Sequence, residues 1–219
     1  NAGGNITIDA KQEHTDNFHT VGVAIAAVAG TAAVYEWTDN ASTAISLKGA
    51  TKLKSTGGAV TIGTKSDITE TFHHVNVGAA IGKIAFILPT FRQTESNTLT
   101  VGNGVSIEAQ KAVTIATNSK SKLDASTYDI TLGVFNLGID TSEIILSSTP
   151  TLAIGDNASI TAGSIYILQN ISRNIGLVED HIPTNLLSLS FPFLTINDTV
   201  TATLTIGNGC TITATSGDL

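Results

Sequence analysis

The fold is decided by one stretch that recurs along the chain: LTVGNGVSIEA at 99–109, LAIGDNASITA at 152–162 and LTIGNGCTITA at 204–214. A diverged copy, ISLKGATKLKS, occupies 45–55. Equivalent positions in the four copies are 54, 53 and 52 residues apart: Leu47, Val101, Ile154 and Ile206. A regular period of this length is typical of proteins built from stacked structural units.

A second motif keeps the same spacing. It is an alternating triplet that begins at Ile6, Val60, Val113 and Ile165, again 54, 53 and 52 residues apart. Two independent motifs in one register predict a single array over 1–219 with four repeats of ~53 residues: 3–56, 57–110, 111–162 and 163–217. Because residues 217–219 correspond to the start of a fifth copy, we expect the chain to be part of a longer array.

The residues within each motif predict short strands. Leu204, Ile206 and Ile212 alternate with threonines, as in a strand that is buried on one face only. The intervening Gly-Asn-Gly or Gly-Asp-Asn favours a turn, because these residues reach positive φ at low cost. The turn glycines expected to matter are Gly102, Gly155 and Gly207. An antiparallel hairpin would also fit two strands around such a turn.

Comparison between the copies favours parallel stacking over the hairpin. Three columns of equivalent residues are aliphatic in every copy: Ile8, Ile62, Ile115 and Ile167; Leu47, Val101, Ile154 and Ile206; Leu53, Ile107, Ile160 and Ile212. Continuous aliphatic columns are expected when repeats stack about 4.8 Å apart and pair in parallel. The sequence therefore predicts an all-β fold, a right-handed parallel β-solenoid (β-helix), with these columns as its core.

The segments between the motifs leave their structure open. Strings such as VNVGAAIGKIAFIL at 75–88 are apolar but broken by glycine. They fit further rungs of roughly 20 residues, two or three per repeat, or one wide coil, or a hairpin against the wall. An Ala-rich helix over 21–33 is a further alternative.

Composition excludes several classes of function. The net charge is −7 and the 11 basic residues are scattered, which disfavours nucleic acid as a partner. Cys210 is the single cysteine, so no internal disulfide can form, and we expect a small buried side chain there. The longest apolar stretch, 21–37, is shorter than the roughly 20 residues of a spanning helix and is interrupted. We therefore expect no membrane insertion.

Candidate metal ligands are few. The five histidines are His14, His19, His73, His74 and His181. His19 and His73 share a column, with Asp67 and Glu70 nearby in sequence, but that column continues as Ser126 and Val178. The turn residues Asn103, Asp156 and Asn208 share another column and predict a ladder of side-chain amides. Hard cations need several oxygens together, so the sequence predicts neither a metal nor any other cofactor.

An enzyme is the natural rival, because parallel β-helices also process polysaccharides. Glycosidases need two carboxylates about 5–10 Å apart. The candidate pairs are Asp67 with Glu70 and Glu179 with Asp180. Aromatic residues for sugar stacking make up only 5% of the chain, and the repeat is not interrupted around either pair. We expect no catalytic residues.

The whole chain resembles a known group of proteins. The cadence of alternating Val, Thr and Ile around Gly turns, followed by a string such as VGVAIAAVAG at 21–30, resembles the repeats of large secreted bacterial adhesins. These are the filamentous haemagglutinin-like proteins and the leukotoxin-type filamentous adhesins. The resemblance implies an extended, secreted β-helix at the bacterial cell surface and contributes no catalytic motif.

These observations lead to one functional expectation and two alternatives. The expectation is a structural extracellular protein, a stiff filament segment that mediates attachment or scaffolds the cell surface. Its partners would be a host or neighbouring-cell surface component, or other copies of itself. The alternatives are a self-assembling extracellular fibre or sheath subunit and a polysaccharide-processing β-helix enzyme.

Overall fold

The protein is described by a computed structural model that covers residues 1–216, without the side chains of residues 24, 29, 31, 33, 131, 140, 179, 181–186 and 188. The described chain is all-β and contains no helix. Leu219 and the two residues before it, which the sequence assigns to a fifth copy, lie outside the described residues. The prediction of an all-β fold is confirmed.

Ten strands account for most of the chain, as expected for a sequence with 33 threonines and many Ile and Val residues. Six belong to one sheet: β1 (Ile6–Ile25), β2 (Val28–Leu47), β4 (Val60–Val101), β6 (Ala112–Ile154), β8 (Ser164–Val200) and β9 (Thr203–Ile206). Four short strands form a second sheet: β3 (Lys52–Ser55), β5 (Ser106–Ala109), β7 (Ser159–Ala162) and β10 (Thr211–Ala214).

Strand pairing is parallel throughout and follows the sequence repeat. Ile6 pairs with Val60, Val60 with Val113, and Val113 with Ile165, so each partner lies one repeat away. The short strands pair in the same way, with Leu53 opposite Ile107 and Ile107 opposite Ile160. Since no described strand pairs within its own repeat, the alternative of two or three rungs of roughly 20 residues per repeat is wrong.

The chain reverses direction halfway along β4, and in repeat 1 β1 and β2 pair separately with the two halves of β4. In β4 the buried positions are even-numbered from 60 to 78 and odd-numbered from 83 to 101. Contacts across the interior confirm the reversal. The rings of Phe72 and Phe91 have centroids 4.3 Å apart, and Ser121 Oγ donates to Gln93 Oε1 at 2.5 Å. We call the part before the reversal the outgoing half and the part after it the return half. The reversal itself is the tip, and the opposite end, with the short strands, is the base.

The interior between the two halves is apolar at the base. The buried cluster there contains Val60, Ile62, Leu99 and Val101, together with the short-strand residue Ile107. Further from the base come small polar residues such as Thr64 and Ser66, then an aromatic and aliphatic cluster that includes Phe72, Phe91 and Leu123. Polar residues return near the tip. The repeated motifs therefore build only the base of each repeat.

The predicted core columns lie in the basal cluster, with burial that depends on the repeat. In repeats 2 and 3 the residues are almost fully covered: Ile62, Val101, Ile107, Ile115, Ile154 and Ile160. Leu47 is also buried, whereas Ile8, Leu53, Ile167 and Ile212 are half-buried and Ile206 is 49% exposed. The difference arises because the first and fourth repeats are covered by a neighbour on one side only.

The turn glycines are required for a reason other than the predicted one. Gly102, Gly155 and Gly207 do not have positive φ; that conformation occurs at Ala50, Gly104, Asn157 and Gly209. A Cβ on Gly102 would lie 2.6 Å from the carbonyl oxygen of Leu47, and one on Gly207 would lie 2.5 Å from Asp156 Oδ1. These glycines are needed because adjacent turns approach closely.

The segments between the motifs are strands. Residues 21–25 and 28–33 continue β1 and β2, so the Ala-rich helix considered over 21–33 is wrong. Their backbone pairs with β4, from Val21 opposite Val75 to Ala33 opposite Ile87. Propensity for helix is overridden here because the segment pairs along its length with the next repeat, and Ala26 N–H also donates to the carbonyl oxygen of Ala79.

Candidate functional surfaces

The outer face of the outgoing halves is charged. Lys65 Nζ lies 3.2 Å from Asp67 Oδ2, and Lys120 Nζ of the next repeat lies 3.4 Å from Asp67 Oδ1. Lys122 and Asp124 form a further pair at 2.6 Å. Burial alone would raise the pKa of Asp67, but the hydrogen bonds and charges of the two lysines outweigh it and lower that pKa. Ion pairs on this face thus form both within a repeat and, through Lys120 and Asp67, between neighbouring repeats.

The outer face of the return halves near the base is uncharged and rich in hydroxyl groups. In one column Thr98 pairs with Ala44 and Thr151, and Thr151 pairs with Thr203. Neighbouring columns are Asn40, Thr94, Ser147 and Thr199, and Ser46, Thr100, Ala153 and Thr205. Near the base, the two outer faces of the sheet therefore differ in chemistry: the outgoing halves are charged and the return halves are neutral.

Towards the tip, the outer face of the return halves becomes apolar. Ile84 lies between Gly30 and Leu137 in one column, which ends at Leu189. The next column is Ala32, Phe86, Ile139 and Phe191. Val34 is opposite Leu88, and Thr141 is opposite Phe193. We call these three columns, together with Val28, Phe135 and Leu187 at the tip, the apolar face.

The histidines do not come together as metal ligands. The rings of His19 and His73 stack with centroids 4.9 Å apart, and His73 Nδ1 contacts Ser126 Oγ. His74 points inward, is fully buried, and its Nδ1 lies 2.7 Å from Thr20 Oγ1. Among the side chains that the structure describes, no three His, Cys, Asp or Glu residues could hold a metal ion. The side chain of His181 lies outside the described residues.

The first candidate acid pair, Asp67 with Glu70, lies on opposite faces of the sheet. Asp67 is on the charged outer face, whereas Glu70 is inside and 4% exposed, because three residues along a strand change the face. For the second pair, the side chain of Glu179 lies outside the described residues and Asp180 is exposed.

The partner of Glu70 is Asp39, from the return half of repeat 1. Burial, together with the hydrogen bond and negative charge of Asp39, raises the pKa of Glu70 to about 7, against the hydrogen bond of Trp37 and the charge of His14. His14 lies 2.9 Å from Asp16 and 4.0 Å from Asp39. Because the two carboxyl groups act on each other through a hydrogen bond, they are closer than the separation that glycoside hydrolysis requires.

A buried ion pair occupies the interior near the tip. Lys83 Nζ lies 3.1 Å from Asp129 Oδ1, and Asn76 Nδ2 donates to the same oxygen at 3.0 Å. All three side chains are almost fully buried. Sequence reasoning missed this pair and that of Asp39 with Glu70. The single available signal was a charged residue inside an apolar string, Lys83 in VNVGAAIGKIAFIL.

The turn column forms a ladder, but not one of side-chain amides alone. Asn103 Oδ1 accepts from the backbone N–H of Asp156 at 3.0 Å, and Asp156 Oδ1 accepts from the backbone N–H of Asn208 at 2.8 Å. Each side chain thus binds the backbone of the next repeat. Cys210 is half-buried rather than buried, and its Sγ lies 3.1 Å from the carbonyl oxygen of Gly155.

These features define the described chain as an all-β protein of long parallel strands, with ion pairs on the outer face of the outgoing halves and an apolar face towards the tip of the return halves. Comparison with known proteins finds no family model, no curated protein and no solved structure that matches the chain. Within residues 1–216 there is no helix of the length and apolar character needed to cross a membrane.

Proposed function

We propose that the chain is a stiff segment of a right-handed parallel β-solenoid in an extracellular bacterial surface protein, and that it serves attachment or surface scaffolding. The observation that carries this proposal is the unbroken register of the parallel pairing. It runs from Ile6 opposite Val60 to Val113 opposite Ile165, and again through the short strands at the base. A chain that adds one repeat per ~4.8 Å step extends into a rod whose length depends on the number of repeats.

The distribution of polar groups supports a structural role. Among the described side chains, many charged groups are held in ion pairs, some within one repeat, as Lys122 with Asp124, and some between repeats, as Lys54 with Glu108 at 2.6 Å. The inward-facing acid Glu70 is buried and bound to Asp39. We therefore propose that no enzymatic activity resides in this chain, and that its outer faces bind other surfaces.

The proposal is tested on cells that produce the protein. An antibody raised against the 219-residue chain should label intact cells, and labelling should disappear after brief protease treatment of the cell exterior. Beads coated with the chain should adhere to host or neighbouring cells more than beads coated with a heat-unfolded control. Labelling only after permeabilisation of the cells would reject the surface location.

A self-assembling fibre or sheath subunit is the second candidate, and the apolar face favours it. The same antibody separates the two on an immunoblot. A polypeptide of well over a thousand residues would support the long array, whereas a polypeptide near 22.6 kDa would support the subunit.

A further inference from the structure

We propose that the apolar face is a docking surface for the same face on a second copy of this chain. The inference deepens the proposed function, on which it rests, because it assigns a partner to one outer face of the filament. It starts from the exposure of that face. Ten of its twelve large apolar side chains are exposed, from 38% at Leu88 to 82% at Val28, whereas Leu137 and Ile139 are half-buried. The ten are Val28, Val34, Ile84, Phe86, Leu88, Phe135, Leu187, Leu189, Phe191 and Phe193.

The area of the face is that of a protein interface. A free phenylalanine side chain presents on the order of 200 Å², so these ten partly exposed side chains present roughly 900 Å² of apolar surface in the 219-residue chain. Six of the ten are on repeats 1 and 4, where exposure is larger because these repeats have a neighbour on one side only. The largest apolar patch on an ordinary monomer is about 300–600 Å². A standard interface buries about 800 Å² on each partner. One apolar face against another would therefore bury the area of a stable dimer.

The shape and charge of the face fit a second copy. Its side chains project from neighbouring parallel strands, so the surface is a sheet face that can pack against another about 10 Å away. The face itself carries no charged side chain. Its border towards the base carries both signs, with Arg92 on repeat 2 and the carboxylates of Glu36 and Glu143 on the repeats either side. Two copies related by a two-fold axis can thus meet without a border of like charges.

The opposite side of the tip supplies a matched control. Val21 and Val23 are 69% and 66% exposed on the outer face of the outgoing half of repeat 1. They are as apolar as the docking face but do not belong to it. Pairing between copies uses one face, whereas immersion of the tip in a lipid surface would use both.

The experiment measures self-association of the 219-residue chain by sedimentation equilibrium over a concentration series. We expect the wild-type chain to dimerise with a Kd below about 100 µM. Phe86→Ser combined with Phe191→Ser should weaken dimerisation at least about tenfold, since aromatic side chains at the centre of an interface dominate its affinity. Val21→Ser combined with Val23→Ser should leave the Kd within about twofold. Circular dichroism and the melting temperature confirm that both variants fold.

Three results would overturn the inference. The wild-type chain could remain monomeric at the highest concentration. The two double variants could weaken dimerisation equally. Alternatively, the wild-type chain could bind neutral phosphatidylcholine vesicles in a flotation assay and lose that binding in both double variants, which would identify a lipid surface as the occupant. Failure of the cell-surface labelling, with dimerisation intact, would reject the proposed location and leave the docking surface standing.

Discussion

Lys83 and Asp129 form an ion pair that ties the return half of repeat 2 to the outgoing half of repeat 3, with Nζ 3.1 Å from Oδ1 and both side chains buried. The pair crosses the interior and joins two repeats at once. Because water is excluded from both groups, each charge depends on the other. Its position near the tip fixes how the two halves meet there.

Removal of one partner should therefore destabilise the fold strongly. Asp129→Ala leaves the ammonium group of Lys83 buried without its carboxylate, at a cost of about 3–5 kcal/mol in the free energy of unfolding. Lys83→Met combined with Asp129→Leu should recover most of that loss, because no charge then remains inside. Urea denaturation followed by circular dichroism measures both values. A double variant no more stable than Asp129→Ala would contradict this account of the pair.

Glu70 should make the stability depend on pH. Its pKa in the folded state is raised to about 7 from an ordinary value of 4.5, so the folded protein binds the proton more tightly. The stabilisation is complete below pH 4.5 and is lost as the pH rises to about 7, with a total of about 1–3 kcal/mol. The difference between wild type and Glu70→Gln in urea denaturation should therefore change across this window.

The control for this pH dependence is Glu13→Gln, since the side chain of Glu13 is 58% exposed on the outer face. It should follow the wild-type pH profile. His74 contributes with the opposite sign: burial lowers its pKa against the charge of Asp129, so stability falls as the pH drops below 6.5. Wild type and Glu70→Gln share the contribution of His74. Subtracting the stability of Glu70→Gln from that of wild type at each pH therefore removes it. A difference curve that is flat between pH 4.5 and 7 would show that Glu70 is ionised in the folded state.

The base of each repeat could be predicted from sequence, and the interior beyond it could not. Val101, Ile107 and their equivalents recur at one spacing, so stacking in columns follows from the repeat alone. By contrast, the contact of Asp39 with Glu70 depends on where the strand reverses, and no periodic signal marks that residue. Three residues of separation made Asp67 and Glu70 look like a pair, although strand geometry places them on opposite faces.

The sequence likewise did not show which apolar residues near the tip are exposed. A string such as VNVGAAIGKIAFIL is equally consistent with a buried strand, a hairpin or an exposed surface. Its exposed members became identifiable only when the reversal near residues 80–82 set which side of the return half faces outward.

The turn glycines can be tested by adding one methyl group. A Cβ on Gly155 would clash with Asn103 Oδ1 and lie 2.8 Å from the backbone nitrogen of Asn103. Gly155→Ala should therefore lower the free energy of unfolding by about 2 kcal/mol or more, because adjacent turns must separate. Gly82→Ala is the matched control, since a Cβ there meets nothing within 4 Å and its φ is not positive. Equal losses in the two variants would reject the role of close approach.

The burial of the core columns can be tested by comparing two aspartate substitutions, one on the inward face and one on the outward face of the same strand. Ile115 is fully buried between Ile62 and Ile167, and Ile115→Asp would place an unpaired carboxylate in the basal cluster at a cost of several kcal/mol. The neighbouring Thr114→Asp directs the same group to the outer face, where solvent reaches it, and should cost less than about 1 kcal/mol. Limited proteolysis should accordingly cleave Ile115→Asp near repeats 2 to 4 much faster than wild type or Thr114→Asp. Since both variants share the same charge and strand, wild-type resistance in Ile115→Asp would mean that this column is not the core.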